Sequence, residues 1–435
     1  MRMAGAPGRT FATIELADEF RLSRDHLARI IQHVIGAGLT GASTALHLAA
    51  NGVGVVLLER AQPAQAASGR NAGHVAPFLV GPTRKLARWP DRGVRLVSHF
   101  AAQRNIVFET CERFGIDGDA ARVGYLEITR SSSARSALLR KADEWRPHGY
   151  EVELLEGDEL RKLTGTSLYR YGLYWSDGGR VNPYLFTTGM AAAAVRHGAR
   201  VYGDSAVLSC DAVGTRWRVR TSGGSVVADS VVLCTNGHSG NPMFASLTRT
   251  NYPCVACALA TRPLSPRLLD VINPSRAAIE QLPASLFPLI VDGRNRLITA
   301  TVPMAGRAHR ADVHFGYLLR YLHRAYPETR DETVELESYW TGVTASSSSD
   351  YQADYPRLYR LERNVMAIAN LGTWGNVMGP LLGRNVADAL ASGREDRLVL
   401  TPERPEPVRA PWLVSFRIRR VLMPLARAAD RLRLV

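Results

Sequence analysis

The stretch Ile30-Ile31-Gln32-His33-Val34-Ile35-Gly36-Ala37-Gly38-Leu39-Thr40-Gly41 decides the fold. An apolar run, Ile30–Ile35, ends in glycines with G-x-G-x-x-G spacing. The small-residue segment Leu39–Ala50 then carries a helix, Asn51-Gly52 a turn, and Val53–Leu58 a second buried strand ending at Glu59-Arg60. Strand, glycine turn, helix, strand and terminal acid form the complete context of a dinucleotide-binding βαβ unit. Gly36 permits the tight turn, Gly38 lets the backbone approach a pyrophosphate, and Gly41 allows close helix–strand packing. The helix start, Leu39-Thr40, offers unpaired N–H groups and a positive dipole end to phosphates. Glu59 is placed to accept hydrogen bonds from a ribose diol. Val34–Leu58 has no charged residue in 25 positions, which is membrane-spanning length, but its glycines and Asn51-Gly52 break it into strand, helix and strand.

The fingerprint serves NAD and FAD alike. The loop that follows, Ser68-Gly69-Arg70-Asn71-Ala72-Gly73-His74, separates them. A small-residue loop just after the second strand passes beneath a bulky, flat cofactor, with its N–H groups and short side chains reaching the diphosphate and the flavin edge. A nicotinamide enzyme has no such need there.

Composition sets limits on function. The 435 residues are 46% hydrophobic and 22% charged, ordinary for a soluble globular chain. The net charge of +14 invites a nucleic-acid reading. Only three of the 54 basic residues are lysines (Lys85, Lys141, Lys162), and the arginines are spread along the chain without a recognition module. We therefore expect no nucleic-acid partner. Five irregularly spaced cysteines make no disulfide framework, and Cys254-Val255-Ala256-Cys257 lies in an apolar run without a second pair for a metal. The first thirty residues lack an apolar leader core and contain four acids, so a cytoplasmic protein is expected.

Further along, residues 91–115 and 133–148 have helical spacing, Val152–Leu155 is strand-like, and Gly157 opens a helix. Asn182 caps a helix over Leu185–His197 with Pro183 in its first turn. Arg200–Tyr202, Ala206–Cys210, Arg216–Thr221 and Ser225–Cys234 suggest a meander and then a buried strand. Phe287–Val291 and Leu297–Thr301 flank a hairpin turn, Asp292-Gly293-Arg294-Asn295, in which Asp-Gly is expected to supply the positive φ. A helix over Val313–Tyr326, strands over Thr333–Thr341 and Val365–Asn370, and a helix over Met378–Ala391 complete the body.

Four blocks, Val34–Arg60, Ser68–His74, Val181–Val207 and Trp340–Ala391, resemble the D-amino-acid-oxidase-like family of FAD-dependent oxidoreductases, in particular its gamma-glutamylputrescine oxidase and glycine oxidase branch. The Arg-rich end, Phe416–Leu434, is similar too. The resemblance implies an α/β (α+β) architecture: a Rossmann-like FAD-binding domain (30–90, 165–245, 342–400) interleaved with a substrate domain on a mostly antiparallel sheet (91–164, 246–341). Residues 1–29 form an arm of unassigned structure, and 401–435 a basic amphipathic helical tail.

By the same resemblance Gly36, Gly38, Leu39, Thr40 and Gly41 hold the pyrophosphate of a noncovalent FAD. Glu59 and Arg60 lie at the adenosine ribose. Ser68, Arg70, Asn71, Ala72, Gly73 and His74 line the flavin and diphosphate, and Val207 meets the adenine through its backbone. Thr235, Asn236 and Gly237 pass near the dinucleotide. Gly372, Gly375, Asn376, Val377 and Met378 cover the pyrimidine end. His74, Trp340 and Trp374 are candidates for the substrate pocket. Two departures stand out: Thr373-Trp374-Gly375 where the family has Gly-His-Gly, and Asn71-Ala72-Gly73 where it has a glycine pair.

The implied chemistry is hydride loss from a neutral amine or amino acid to flavin N5, giving an imine, with reoxidation by oxygen or another acceptor. The protein's part is to bind, orient and exclude water. Two alternatives remain open at this level: oxidation of a 2-hydroxy acid, and a flavin-binding protein without catalysis. Arg294 is a weaker candidate for a substrate carboxylate. The tail from Trp412 is read as a helix docked on the body with its basic face exposed, without membrane contact.

Overall fold

A computed structural model describes residues 31–79, 90–238, 244–282, 285–347, 355–372, 374–408 and 411–431. The N-terminal arm and Thr373 lie outside them. The opening unit forms as read. Strand Ile31–Ile35 runs parallel to Gly54–Leu58, with His33 opposite Val56, and helix Leu39–Ala50 connects them. They are central in a six-stranded sheet in the order 357–362, 365–369, 230–233, 31–35, 54–58, 200–202, and only the outermost pair, 357–362 with 365–369, is antiparallel.

Both faces of this sheet are covered, which is why its strands are continuously apolar. Val34, Val55, Leu57 and Val232 pack in the main core with helices Leu39–Ala50, Pro183–Arg196 and Gly375–Ser392. Ile35, Val56, Leu58, Val231 and Leu233 pack against Val219, Trp217 and Val226 of a three-stranded meander. His33 lies fully buried in the first strand, where the Val56 and Val226 backbones face its ring but, among the described residues, neither nitrogen reaches good hydrogen-bond geometry.

Two four-stranded sheets stand beside this unit. One has the order 290–291, 296–301, 252–263, 336–346, and the other 278–281, 125–129, 171–175, 152–156. A bridge between Ile279 and Leu289 joins their edges. Strand alternation gives the joined sheet two faces. Leu126, Ile128, Leu259 and Leu297 meet helix Ala311–Ala325 in a second core. Tyr125, Leu173, Trp175, Ala278, Ile290 and Ile298 face the main core shared with the dinucleotide-type helices.

Several expectations are corrected. The helix expected over 91–115 is two helices, Pro90–Ala102 and Ile106–Phe114. The run Ser225–Cys234 is two strands, Gly224–Ala228 and Ser230–Leu233. Five strands longer than two residues were not anticipated: Tyr125–Thr129, Tyr171–Trp175, Tyr252–Pro263, Ala278–Gln281 and Arg357–Glu362. In the Asp292–Asn295 turn the positive φ falls on Asn295 (61°), not on Gly293. Asn295 N–H donates to the Asp292 carbonyl (2.9 Å), and Asp292 N–H to that of Arg296 (3.0 Å). Asp292 also accepts the Arg294 and Arg296 N–H groups through its side chain, so the acid organises the turn.

Candidate cofactor and substrate site

The glycine turn forms the cradle expected of it. Gly36 has φ +98°, a conformation that disfavours any side chain. A Cβ on Gly41 would lie 1.9 Å from the Gly36 carbonyl oxygen, so only glycine lets the helix start this close to the strand. A Cβ on Gly38 would stand 2.6 Å from Ser68 Oγ. That hydroxyl accepts the Leu39 N–H at 2.9 Å, a neutral oxygen at the helix start. The helix has no acid in its first turn and no side-chain cap from Gly38, so its end stays electropositive. Glu59 Oε2 accepts the Ala37 N–H (2.8 Å) and Oε1 that of Ala61 (3.1 Å), which fixes the carboxylate at the end of its strand.

A second helix N-terminus converges on the first. Helix Gly375–Ser392 likewise begins without a side-chain cap or a first-turn acid. It approaches the first helix through glycines: a Cβ on Gly379 would meet Leu39 Cβ and Thr40 Oγ1 at 3.1 Å, and one on Gly383 would meet the Thr40 carbonyl at 2.6 Å. Asn376, Val377 and Met378 are buried in its opening turns, while Gly375 is part-exposed. Two helix starts without an acid in the first turn thus lie side by side, a setting for distributed negative charge.

The Ser68–His74 loop is tied to both. Asn71 Nδ2 donates to Asn376 Oδ1 (3.0 Å), and Asn376 Nδ2 donates to Asn71 Oδ1 (2.8 Å) and to the His74 carbonyl (2.9 Å). Arg70 donates to the Gln65 and Thr341 carbonyls, and Trp340 Nε1 to the Arg70 carbonyl (2.8 Å). Trp340 therefore clamps the loop. Ala72 sits half-buried between these anchors, and Gly73 (φ +93°) is pressed against the Val181 carbonyl.

The third segment closes over the glycine turn. The Cys234 carbonyl abuts Gly36, Asn236 Oδ1 accepts the Asn370 N–H (3.0 Å), and Gly237 packs against Ala345. Thr235 lies between them, and Thr344 Oγ1 donates to the Gly372 carbonyl (3.4 Å). Val207 follows Ser205, whose N–H donates to the Glu59 carbonyl (2.8 Å), which sets that strand beside the acid. Arg60 points outward. The cradle, the acid and the paired helix ends fit an FAD.

His74 and Glu280 lie deep in the molecule, and each keeps a part of its surface accessible. Burial holds the His74 imidazole down at about 4, against the Ile279 carbonyl that faces its Nε2 at 3.2 Å. It is neutral at pH 7. Its ring meets Tyr125 edge-on (6.0 Å), and the Tyr125 hydroxyl donates to Glu280 Oε2 at 2.6 Å. Burial, with the nearby Glu127 carboxylate, raises the Glu280 carboxyl above its usual range. Glu127 itself pairs with Lys141 (2.6 Å) and accepts from Trp175 Nε1 (3.1 Å). The Lys141 ammonium sits 3.4 Å from the Phe78 ring centre, and Phe78 leans on Trp374 at 5.8 Å.

Sequence reasoning named His74, Trp340 and Trp374 as pocket candidates and did not single out Tyr125, Glu127, Lys141 and Glu280, which the structure groups near His74. Two signals pointed to them: single acids inside apolar strands (Tyr-Leu-Glu-Ile-Thr, Ala-Ile-Glu-Gln), and a lysine kept in a chain of arginines. Arg294 is exposed at its hairpin tip and takes no part. Cys254 and Cys257 stand three residues apart on one strand, facing opposite sides of the sheet, so they form neither a disulfide nor a joint site.

The family model of FAD dependent oxidoreductases (DAO) matches residues 33–389. The chain belongs to this FAD-dependent oxidoreductase family. Within it, gamma-glutamylputrescine oxidoreductase of Escherichia coli (strain K12) is 27% identical over 379 residues, covering 86% of this chain and 87% of that protein. Glycine oxidase of Bacillus cereus ATCC 14579 shares the fold at TM-score 0.67 and 21% identity, over 85% of this chain and 97% of its own. Iminodiacetate oxidase of Chelativorans sp. BNC1 superposes at 0.68 with 20% identity, over 86% and 100%. As a member of the DAO family the chain is an FAD-dependent oxidoreductase. No helix among the described residues is long and apolar enough to cross a membrane.

Proposed function

We propose that the chain oxidises a primary or secondary amine, or an amino acid, to an imine, using FAD held without a covalent link. Bound FAD supplies the acceptor for the two electrons and the hydrogen from the substrate carbon, and oxygen or another acceptor takes them onward. The residues named at the cradle would hold its diphosphate and ribose. The two helix ends favour the charge that gathers on a reduced flavin. Val207, Arg60 and Thr235–Gly237 are assigned to the cofactor on position alone. His74, Trp340 and Trp374 wall the substrate side.

One observation carries the choice of an amine: the Glu280 carboxyl, tied to Tyr125 and part-exposed near neutral His74. Two buried carboxyls, Glu127 and Glu280, face one ammonium, Lys141, so the cluster is short of positive charge. A substrate ammonium makes up that deficit, whereas the carboxylate of a 2-hydroxy acid is repelled there. The names of the similar oxidases point the same way. We also infer two interleaved units with the boundaries expected above, except that Tyr171–Trp175 joins the substrate unit, where its strand partners lie.

The test is anaerobic titration of the purified protein with amines, amino acids and 2-hydroxy acids while its flavin absorption is followed. Amines are expected to bleach it. Bleaching by hydroxy acids alone would sink the proposal, and protein that stays colourless after FAD is added would favour a non-catalytic role.

A further inference from the structure

Among the described residues nine large apolar side chains are exposed, and five of them fall in one fourteen-residue stretch: Trp412, Phe416, Val421, Leu422 and Leu425. The other four, Val94, Val195, Leu208 and Val213, are scattered over three other elements. Trp412 is 71% exposed and Leu425 62%. This is the C-terminal helix, Pro411–Phe416 continuing through Arg417–Leu422 and Met423–Arg431.

The helix is docked, as the sequence suggested, by its inner face. Ile418 and Arg427 are buried, with the Arg427 guanidinium over the rings of Tyr317 (4.4 Å) and Phe287 (5.3 Å). Asp430 accepts from Arg324 (2.6 Å) and Arg130 (3.1 Å). It is the only acid between residues 407 and 431, and it is spent on the inner face. The outer face departs from the expected one. It presents Trp412, Phe416, Val421, Leu422, Leu425 and Ala428, with Arg417 and Arg420 among them, and no acid. A water-facing helix carries a polar outer face. Aromatic and aliphatic side chains interleaved with arginine instead match the boundary between lipid headgroups and acyl chains.

We propose that this helix seats the protein on an anionic membrane surface, lying in the plane of the interface with its arginines at phosphate level. Charge complementarity selects lipid over a second copy of this chain, because two such faces would bring arginine against arginine. The attachment is peripheral, and it is independent of the amine reading above.

The test is co-sedimentation of the full-length protein with vesicles of phosphatidylcholine alone or mixed with phosphatidylglycerol. Pelleting with the mixed vesicles, weakened by salt, is expected. Replacing the apolar face (Trp412→Ser with Phe416→Ser and Leu425→Ser) should lower the partition at least about tenfold. Arg417→Gln and Arg420→Gln should each lower it about fivefold for mixed vesicles and leave flavin content unchanged. Full-length protein that stays in the supernatant overturns the proposal. So does equal binding to both vesicle types, and so does self-association that needs the apolar face while vesicles go unbound.

Discussion

His33, His47 and His74 are each held by burial at a pKa of about 4, against 6.5 for an ordinary histidine. Between those values the unfolded chain binds a proton that the folded one refuses. Their contribution to stability is therefore full above pH 6.5 and drains as pH falls toward 4, by about 2 kcal/mol each between pH 7 and pH 5. His33 differs from the other two because the Val56 and Val226 backbones face its ring nitrogens only in poor hydrogen-bond geometry. His33→Val is expected to stabilise the protein at pH 7 by about 1 kcal/mol and to flatten its acid sensitivity, read as thermal midpoints across pH. A midpoint that falls at both pH values would contradict the poorly paired ring. Glu280 is the other informative residue. Glu280→Gln keeps the Tyr125 contact and removes the charge, so kcat/KM for amines should drop about tenfold with FAD content intact. Because its carboxyl is raised, amine affinity in the wild type should fade at a higher pH than an ordinary carboxylate would give. An unchanged pH profile in the variant would exclude Glu280 from substrate recognition.

At the scale of elements, the site depends on how a loop and a helix end are joined. Asn71 and Asn376 exchange two amide hydrogen bonds, so losing either leaves a part-buried amide unmet. Asn71→Ala and Asn376→Ala should each cost about 1–3 kcal/mol and release FAD more readily, and the double variant should cost clearly less than the sum. Strict additivity in denaturation would show that the pair does not act as a unit. The hairpin at Asp292 follows the same logic. Its acid collects two N–H groups while Asn295 takes the left-handed position, which a dipeptide rule for Asp-Gly does not reveal.

For the whole molecule, what could be read in advance was what is encoded locally. The glycine turn, its helix and Glu59 sit within thirty residues, and the Asn182 cap with Pro183 acts over four. All of these formed as expected. The missed strands follow a different rule. Tyr252–Pro263 is largely buried on both sides and so has no polar alternation to detect. Glu127 and Glu280 drew no notice in the sequence because their burial is balanced by partners distant in it; Tyr125 and Glu280 are 155 positions apart. A cradle assembled from such remote pieces should be bound tightly to its cofactor's presence. FAD added to depleted protein at a hundred times its Kd should raise stability by about 3 kcal/mol, visible as a higher thermal midpoint. An unmoved midpoint would mean that the cradle does not take FAD.

The bridge between Asn71 and Asn376 spans 305 positions of chain, and this has a consequence for biosynthesis. A polypeptide emerging from the ribosome presents its glycine turn some three hundred residues before the helix end that completes the cradle. Capture of the flavin is thus a late event, and the unfinished chain has to wait with its cradle half built. Ribosome-arrested chains ending before residue 370 are expected to retain no FAD, while chains long enough to expose the whole 375–392 helix retain it.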